Sequence, residues 1–198
     1  MMVITNLFRG TKVRLVVEDP QVEAKAWAQW FRNSEYMLLL DTDPPVLRSE
    51  KSIKDSLEKD LEQDHADVFY SNIRTLEEDQ LIGFVALFEI FWNHGDAWVA
   101  IGLGEADYWG KGFGSDAMQL VLRYAFHELN FHRVTLCVFE YNPRAIRSYQ
   151  KVGFVEEGRI RGEFLRQGTR WDLIFMGILR EEWNKNNPFL PEEKVREM

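Results

Sequence analysis

Apolar residues recur along this chain with two periods, and the switches between them mark its elements. Alternating or β-branched runs predict strands at 12–17 (KVRLVV), 67–75 (DVFYSNIRT), 81–91 (LIGFVALFEIF), 97–104 (AWVAIGLG), 132–139 (HRVTLCVF), 154–165 and 169–179. Asn93-His94-Gly95-Asp96 and Gln167-Gly168 are turn-formers between adjacent runs, so 81–104 and 154–179 read as hairpins. A helix is predicted over 20–32, behind Asp19 as N-cap and Pro20 at its first position. A second follows over 49–63, where Ile53, Leu57 and Leu61 recur every four residues. Another opens at Asn142-Pro143 and closes at Gly153. The segment 115–130 differs from these. Its polar residues Asp116, Gln119, Arg123, His127 and Asn130 form one narrow stripe on an otherwise apolar surface. Such a helix is covered on most sides, as when it lies on a sheet.

The order of elements restricts the topology. A crossover through the 115–130 helix makes strands 97–104 and 132–139 parallel, whereas the hairpins are antiparallel. The fold class is therefore α/β in the sense of a mixed sheet (α+β) with helices on its faces. The segment from Arg180 on, with Pro188 and Pro191 among charged residues, is expected to leave the core.

Composition narrows the function. The chain of 198 residues holds 24 basic and 32 acidic side chains, a net charge of −8 with neutral histidines. That balance argues against general nucleic-acid binding and favours approach by cations. Cys137 is the sole cysteine, so an intrachain disulfide is impossible; its alternation with Leu136 and Val138 predicts a buried, inert thiol. His65, His94, His127 and His132 have no ligand spacing, and no metal site is expected. No apolar run reaches membrane-spanning length, and Met1 to Asn6 do not resemble a signal peptide, so a cytoplasmic protein without membrane or nucleic-acid partners is expected.

The informative stretch is Trp109-Gly110-Lys111-Gly112-Phe113-Gly114-Ser115, directly before the buried helix. Three alternate glycines let a ligand approach the main chain, and the helix start behind them offers free N–H groups and a positive dipole end. This chemistry suits phosphate. A plain tight turn into a helix would need only one glycine. A P-loop fails because Lys111 is followed by Gly112 rather than Ser or Thr. A dinucleotide fingerprint, Gly112-x-Gly114-x-x-Ala117 with Glu140 as the ribose acid, fits in spacing but lacks the further βα units of a doubly wound sheet.

With these residues in view, the sequence resembles the GNAT N-acetyltransferases, in particular the RimJ/RimL and spermidine-acetyltransferase-like branch. The resemblance runs over about residues 10–183. The glycine loop is similar to the family's R/Q-x-x-G-x-G/A motif, with Trp109 in place of Arg or Gln, as is frequent in that branch. Residues 142–154 (NPRAIRSYQKVGF) are similar to the family's N-x-x-A/S-I-x-x-Y-x-K-x-G-F helix. The resemblance implies one GNAT domain over 1–183 with a tail over 184–198. It implies a mostly antiparallel seven-stranded sheet whose central parallel pair splays apart, with helices on both faces. It also implies transfer of acetyl from acetyl-CoA to a primary amine. Trp109, Gly110, Lys111, Gly112, Phe113, Gly114, Ser115 and Asn142 would then hold the cofactor, Asn142 serving equally well as a plain N-cap. Tyr149 would protonate the leaving thiolate, although its spacing with Ile146 and Val152 also fits a core position.

The general base that the resemblance implies on the strand at 97–104 is missing here, because that strand has no ionisable side chain. Glu105 and Asp107 follow that strand, more plausibly as solvated acids than as bases. The segments expected to receive the acceptor are the 36–50 loop, the helix after it and the 154–179 hairpin. Asp41, Asp43, Glu50 and Glu163 there offer carboxylates to a small cationic amine. Expected partners are acetyl-CoA and an amine, with room for a homodimer. The alternatives are an N-terminal acetyltransferase acting on protein, or an acyl-CoA-binding regulatory module without turnover.

Overall fold

The computed structural model describes residues 6–62 and 68–187. The expectations for Met1 to Thr5, Gln63, His65, Asp67, Pro188 and Pro191 lie outside those residues. The chain opens with β1 (Val13–Val16) and three helices, α1 (Pro20–Trp30), α2 (Ser34–Leu40) and α3 (Glu50–Leu61). Three strands follow, β2 (Phe69–Thr75), β3 (Leu81–Phe91) and β4 (Asp96–Leu103). After a short 3-10 turn at Ala106–Tyr108 comes α4 (Phe113–Arg123), prolonged by a π turn over Tyr124–Glu128. The rest is β5 (Arg133–Phe139), α5 (Pro143–Val152), β6 (Val155–Arg166), β7 (Thr169–Leu179) and α6 (Arg180–Asn186).

The seven strands form one sheet in the order β1-β2-β3-β4-β5-β7-β6. Every neighbouring pair is antiparallel except β4 and β5. The dinucleotide-binding alternative fails on this topology, because β5 is flanked by antiparallel β7 rather than by further parallel strands. Glu140, its proposed ribose acid, instead accepts from the Asp172 N–H at 3.1 Å.

Local chemistry explains the helix ends. Asp19 accepts from the N–H groups of Gln21 and Val22, and Glu23 accepts from the Asp19 N–H at 2.6 Å, so each end of the first turn caps the other. Gly153 ends α5 at φ 116°, where a side chain would be strained. Along β3, Phe84 faces α1 and stacks on Trp27 at 5.2 Å. The next residue, Val85, faces the main core with Met118 and Leu122 of α4. Successive strand residues point to opposite faces, so helices cover both sides of the sheet.

Two segments differ from expectation. Residues 34–40 form α2 rather than a loop, capped by Asn33 through the N–H groups of Glu35 and Tyr36. The chain does not leave the core at Arg180. The Glu182 carboxylate accepts from the Leu179 N–H at 2.9 Å, and Trp183 is buried beside Phe126. Arg180 also donates to the Phe131 carbonyl and to Asn130 Oδ1, both at 2.6 Å, so a buried aromatic and these bonds together hold the helix down.

Asp116, in the first turn of α4, ties that helix to the edge of the sheet. Its carboxylate accepts from the N–H groups of Thr11, Lys12 and Val13 and from the Thr11 hydroxyl, at 2.7–3.1 Å. Burial opposes its charge, but these donors outweigh burial and hold the carboxyl below its ordinary pKa. Hydrogen bonds to a charged acceptor contribute about 1.5–3 kcal/mol each, less where water can replace the lost partner. Asp116→Ala should therefore lower stability by about 2–3 kcal/mol at pH 7 in urea unfolding. A depressed folded-state pKa contributes stability that is complete above the unfolded value, about 4, and is lost as pH falls through the folded value. The deficit of the variant should shrink below that pH, and a deficit that persists undiminished under acid would contradict this account.

Candidate active site

The cleft starts where β4 and β5 separate. They pair only at Asp96 with Arg133, Ala97 with Val134 and Trp98 with Thr135. Beyond Trp98 the two strands run on for several residues without pairing to each other, which leaves a gap in the middle of the sheet. A cavity of about 390 Å3 lies at this gap, between Ile101–Leu103 of β4, the glycine loop, α5 and α2. Its volume falls in the usual range for small-molecule sites.

The glycine loop forms one wall. Gly110 and Gly112 have φ of 70° and 87°, a region that residues with a Cβ rarely occupy. Gly112 is the N-cap of α4 and carries no side chain to satisfy the first turn. The N–H groups of 113–115 therefore start the helix without intrahelical acceptors, at the positive end of its dipole. Gly114 is different. It lies inside the helix, and a Cβ there would meet Leu103 Cδ1 at 3.4 Å, which is ordinary contact.

The structure brings most of the sequence-predicted residues to the cleft. Trp109, Gly110, Gly112, Gly114, Ser115, Asn142 and Tyr149 all line it. Two do not. Lys111 is exposed on the outer side of the loop, beside Lys12 and Lys151. Phe113 turns inward, edge-on to Tyr108 at 4.8 Å and beneath the Lys12 ammonium. Trp109 is anchored by its indole N–H to the Leu103 carbonyl at 2.7 Å, and the Arg144 guanidinium lies 4.0 Å over its ring. Ser115 shares a hydrogen bond with Ser148 at 2.9 Å, which joins α4 to α5. Asn142 accepts from the Ala145 N–H through Oδ1, so it caps α5 and lines the cleft at once.

Tyr149 is enclosed between α5 and the strands, with its ring 6.1 Å from Phe154. Burial, and to a smaller degree the Cys137 thiol, push its pKa well up, so the phenol keeps its proton. Its hydroxyl has no hydrogen-bond partner among the described residues. Cys137 itself is exposed, contrary to the expectation of a buried thiol. Its neighbours Leu136 and Val138 are both buried, and successive strand residues face opposite sides, so alternation itself turns Cys137 away from them. Glu105 accepts from the Trp30 indole at 2.7 Å, so it is engaged in the fold; Asp107 is exposed in the 3-10 turn. His127 contacts Asn184 of α6, and His132 is exposed; neither lines the cleft.

The far wall was not read from sequence. Tyr36, Leu39 and Leu40 of α2 line the cleft. Tyr141 donates to the Leu38 carbonyl at 2.9 Å, and Arg166 of β6 donates to the carbonyls of Asp41, Thr42 and Asp43. Asn33 followed by Ser-Glu was the available signal for this helix. Asp41, Asp43, Glu50 and Glu163 are all exposed around this end.

A sheet opened at one parallel pair, with a helix N-terminus on one side of the gap and a tyrosine inside it, makes a cleft suited to a ligand with an anionic end. The residue profile of the acetyltransferase (GNAT) domain family matches residues 14–155, and the chain belongs to that family. Spermidine N(1)-acetyltransferase of Vibrio cholerae is 37% identical over 106 residues, 54% of this chain and 61% of that protein. The uncharacterized N-acetyltransferase YnaD of Bacillus subtilis is 28% identical over 176 residues, 88% of this chain and 98% of its own length. The solved structure of a chimera between the Vibrio cholerae spermidine N-acetyltransferase SpeG and hSSAT superposes with a TM-score of 0.73 at 26% identity, covering 87% of this chain and 98% of that one.

The loop glycines differ in a way stability can read. Gly112→Ala forces a Cβ into a left-handed conformation and should cost about 1–2 kcal/mol. Gly114→Ala adds a methyl in open helical geometry and should be neutral or stabilising by up to about 1 kcal/mol. Thermal unfolding of the two variants checks this, and equal shifts would contradict the assignment of φ as the cause.

Proposed function

We propose that the protein transfers an acetyl group from acetyl-CoA to the primary amine of a small cationic acceptor. The observation that carries this reading is the convergence of the glycine-loop amides and the unpartnered Tyr149 hydroxyl on one gap between β4 and β5. The cleft fits an elongated ligand with a phosphate at one end. The N–H groups of 113–115 hold the pyrophosphate, and Lys12, Lys111 and Lys151 add positive charge on the outer side of the loop. The unpaired edge of Ile101–Leu103 receives the pantetheine arm, together with the Asn142 amide. Bound acetyl-CoA supplies an acyl carbon already activated by its thioester.

Tyr149 then gives its proton to the departing sulfur. Its raised pKa keeps the phenol protonated until the C–S bond breaks, so a proton is at hand for the sulfur, and the proton that the amine loses restores the phenol. Asp96, at the paired start of β4, is the one ionisable side chain of that strand; none lies on the open stretch past Trp98, and Glu105 is bound to Trp30, so the amine enters the reaction in its neutral form. The acceptor side has exposed carboxylates at Asp41, Asp43, Glu50 and Glu163, in keeping with a cation. The spermidine acetyltransferases among its relatives support the same class.

Tyr149→Phe should lower kcat about 10²-fold with little change in CoA affinity. Equal turnover in both proteins would return Tyr149 to a packing role. Steady-state ranking of acceptors at fixed acetyl-CoA tests the substrate. Polyamines and other basic amines should exceed neutral or acidic ones, and added salt should raise the amine KM more than it changes kcat, because screening acts over about 8 Å at physiological strength. Peptide N-termini outperforming amines, or CoA binding without turnover of any acceptor, would overturn the reading.

A further inference from the structure

The glycine loop has an outer side as well as the wall it gives to the cleft. A concavity of about 440 Å3 lies there, against the start of α4. It meets the active-site cleft at the loop, because Gly110, Gly112, Ser115 and Lys151 line both. A ligand that crosses the loop amides can therefore reach from one concavity into the other.

Three lysines border this outer concavity, each from a different element. Lys12 precedes β1, Lys111 stands between Gly110 and Gly112, and Lys151 is in the last turn of α5. All three are exposed, so their ammonium groups are open to a ligand arriving from solvent. Lys12 and Lys111 line the outer concavity and not the cleft. The stem of Lys12 crosses the loop at Gly112, with Cε 3.6 Å from where a Cβ on that glycine would stand. Its Nζ lies 5.2 Å from the centre of the Phe113 ring. Lys12 is thus laid over the first turn of α4, beside the amides of 113–115.

The charge around this concavity is one-sided. Asp116 is the one acidic residue among those lining it, and its oxygens already accept from the N–H groups of Thr11, Lys12 and Val13 and from the Thr11 hydroxyl. Within the described residues, none of the three lysines is in an ion pair. Like charges gathered in this way repel one another, and an anion entering between them relieves that repulsion.

We infer that the outer concavity receives the 3′-phosphate of CoA, and that Lys12, Lys111 and Lys151 make the protein select CoA over its 3′-dephospho form. The inference rests on the acetyl-CoA reading of the cleft. With the pyrophosphate on the loop amides, the phosphate on the adjoining ribose is the next anionic group of the ligand. A phosphomonoester carries about −1.5 to −2 charges at pH 7, and its terminal oxygens accept donors from several sides. Lysine suits such a group, because a point charge on a flexible stem follows a phosphate that stays in contact with water.

Calorimetric titration of the full 198-residue chain, without any acceptor, tests this. CoA should bind at least about tenfold more tightly than 3′-dephospho-CoA at low salt. Added salt should narrow that ratio, because exposed charges are screened over about 8 Å at physiological strength. Lys12→Gln combined with Lys111→Gln keeps the stems and removes the charges. That variant should bind CoA within about threefold of dephospho-CoA, with its dephospho-CoA affinity nearly that of the wild type. Equal wild-type affinity for the two ligands, or a ratio that salt leaves unchanged, would overturn the inference while leaving the acetyl-CoA reading intact. A folded double variant that loses both ligands alike would overturn it too, by placing these lysines on the pyrophosphate. If the wild type binds neither ligand, the acetyl-CoA reading itself fails and takes the inference with it. The wild-type comparison needs no variant, so it decides the matter even if the double variant fails to fold.

Discussion

The structure depends on an interruption in its own hydrogen bonding. Backbone N–H and C=O groups must be paired or hydrated, and a parallel ladder is the usual solution for two neighbouring strands. Here β4 and β5 keep that ladder for three residue pairs and then part. Each strand is held by its other neighbour, β4 by β3 and β5 by β7, so the gap persists without the sheet coming apart. The facing edges beyond Trp98 and Thr135 are left to bind something else. The cleft is a consequence of this divergence.

Around that gap the polypeptide solves an electrostatic conflict. The chain carries a net charge of −8, yet one end of the cleft is suited to an anion. The solution is local. Amides at the start of α4 supply partial charges that do not count in the net total, and lysines and arginines gather on the loop and α5. Arg144 stacks on Trp109, so a guanidinium stands beside the loop at the place where the motif has lost its usual basic or amide side chain. The exposed carboxylates lie instead on the segment after α2 and on the β6–β7 hairpin.

Helix α4 connects these parts. Its polar line, Asp116 to Arg123 to His127, does not face water along its length. The turn before β1 covers its first part through Asp116 and Arg123, and α6 covers its last part through His127. The same helix thus begins at the glycine loop and ends against α6. Its apolar residues pack against Val85, Leu87 and Val99 of the sheet, which fixes both ends relative to the strands.

Much of this was legible in the sequence. Every strand and four of the helices follow from periodicity and caps, because those signals are local and survive in any context. Asp19-Pro20, Asn142-Pro143 and Gly153 are examples. The glycine loop and the 142–154 segment marked one wall of the cleft and the tyrosine. Helix α2 was hidden because its seven residues are too few for a clear period, and Arg166 and Tyr141, which hold it and the residues that follow, come from more than 100 residues away. The end at α6 was hidden because a single Trp183 among charges has no periodicity to reveal its burial. Cys137 was expected inside together with Leu136 and Val138, but neighbouring residues of a strand face opposite sides, and the burial of those two turns it outward. The sequence by itself determined the elements, their order and the chemistry available. Only the tertiary structure decided which polar groups meet and which edges stay open, because those depend on contacts between segments whose spacing along the chain says nothing of their distance in space.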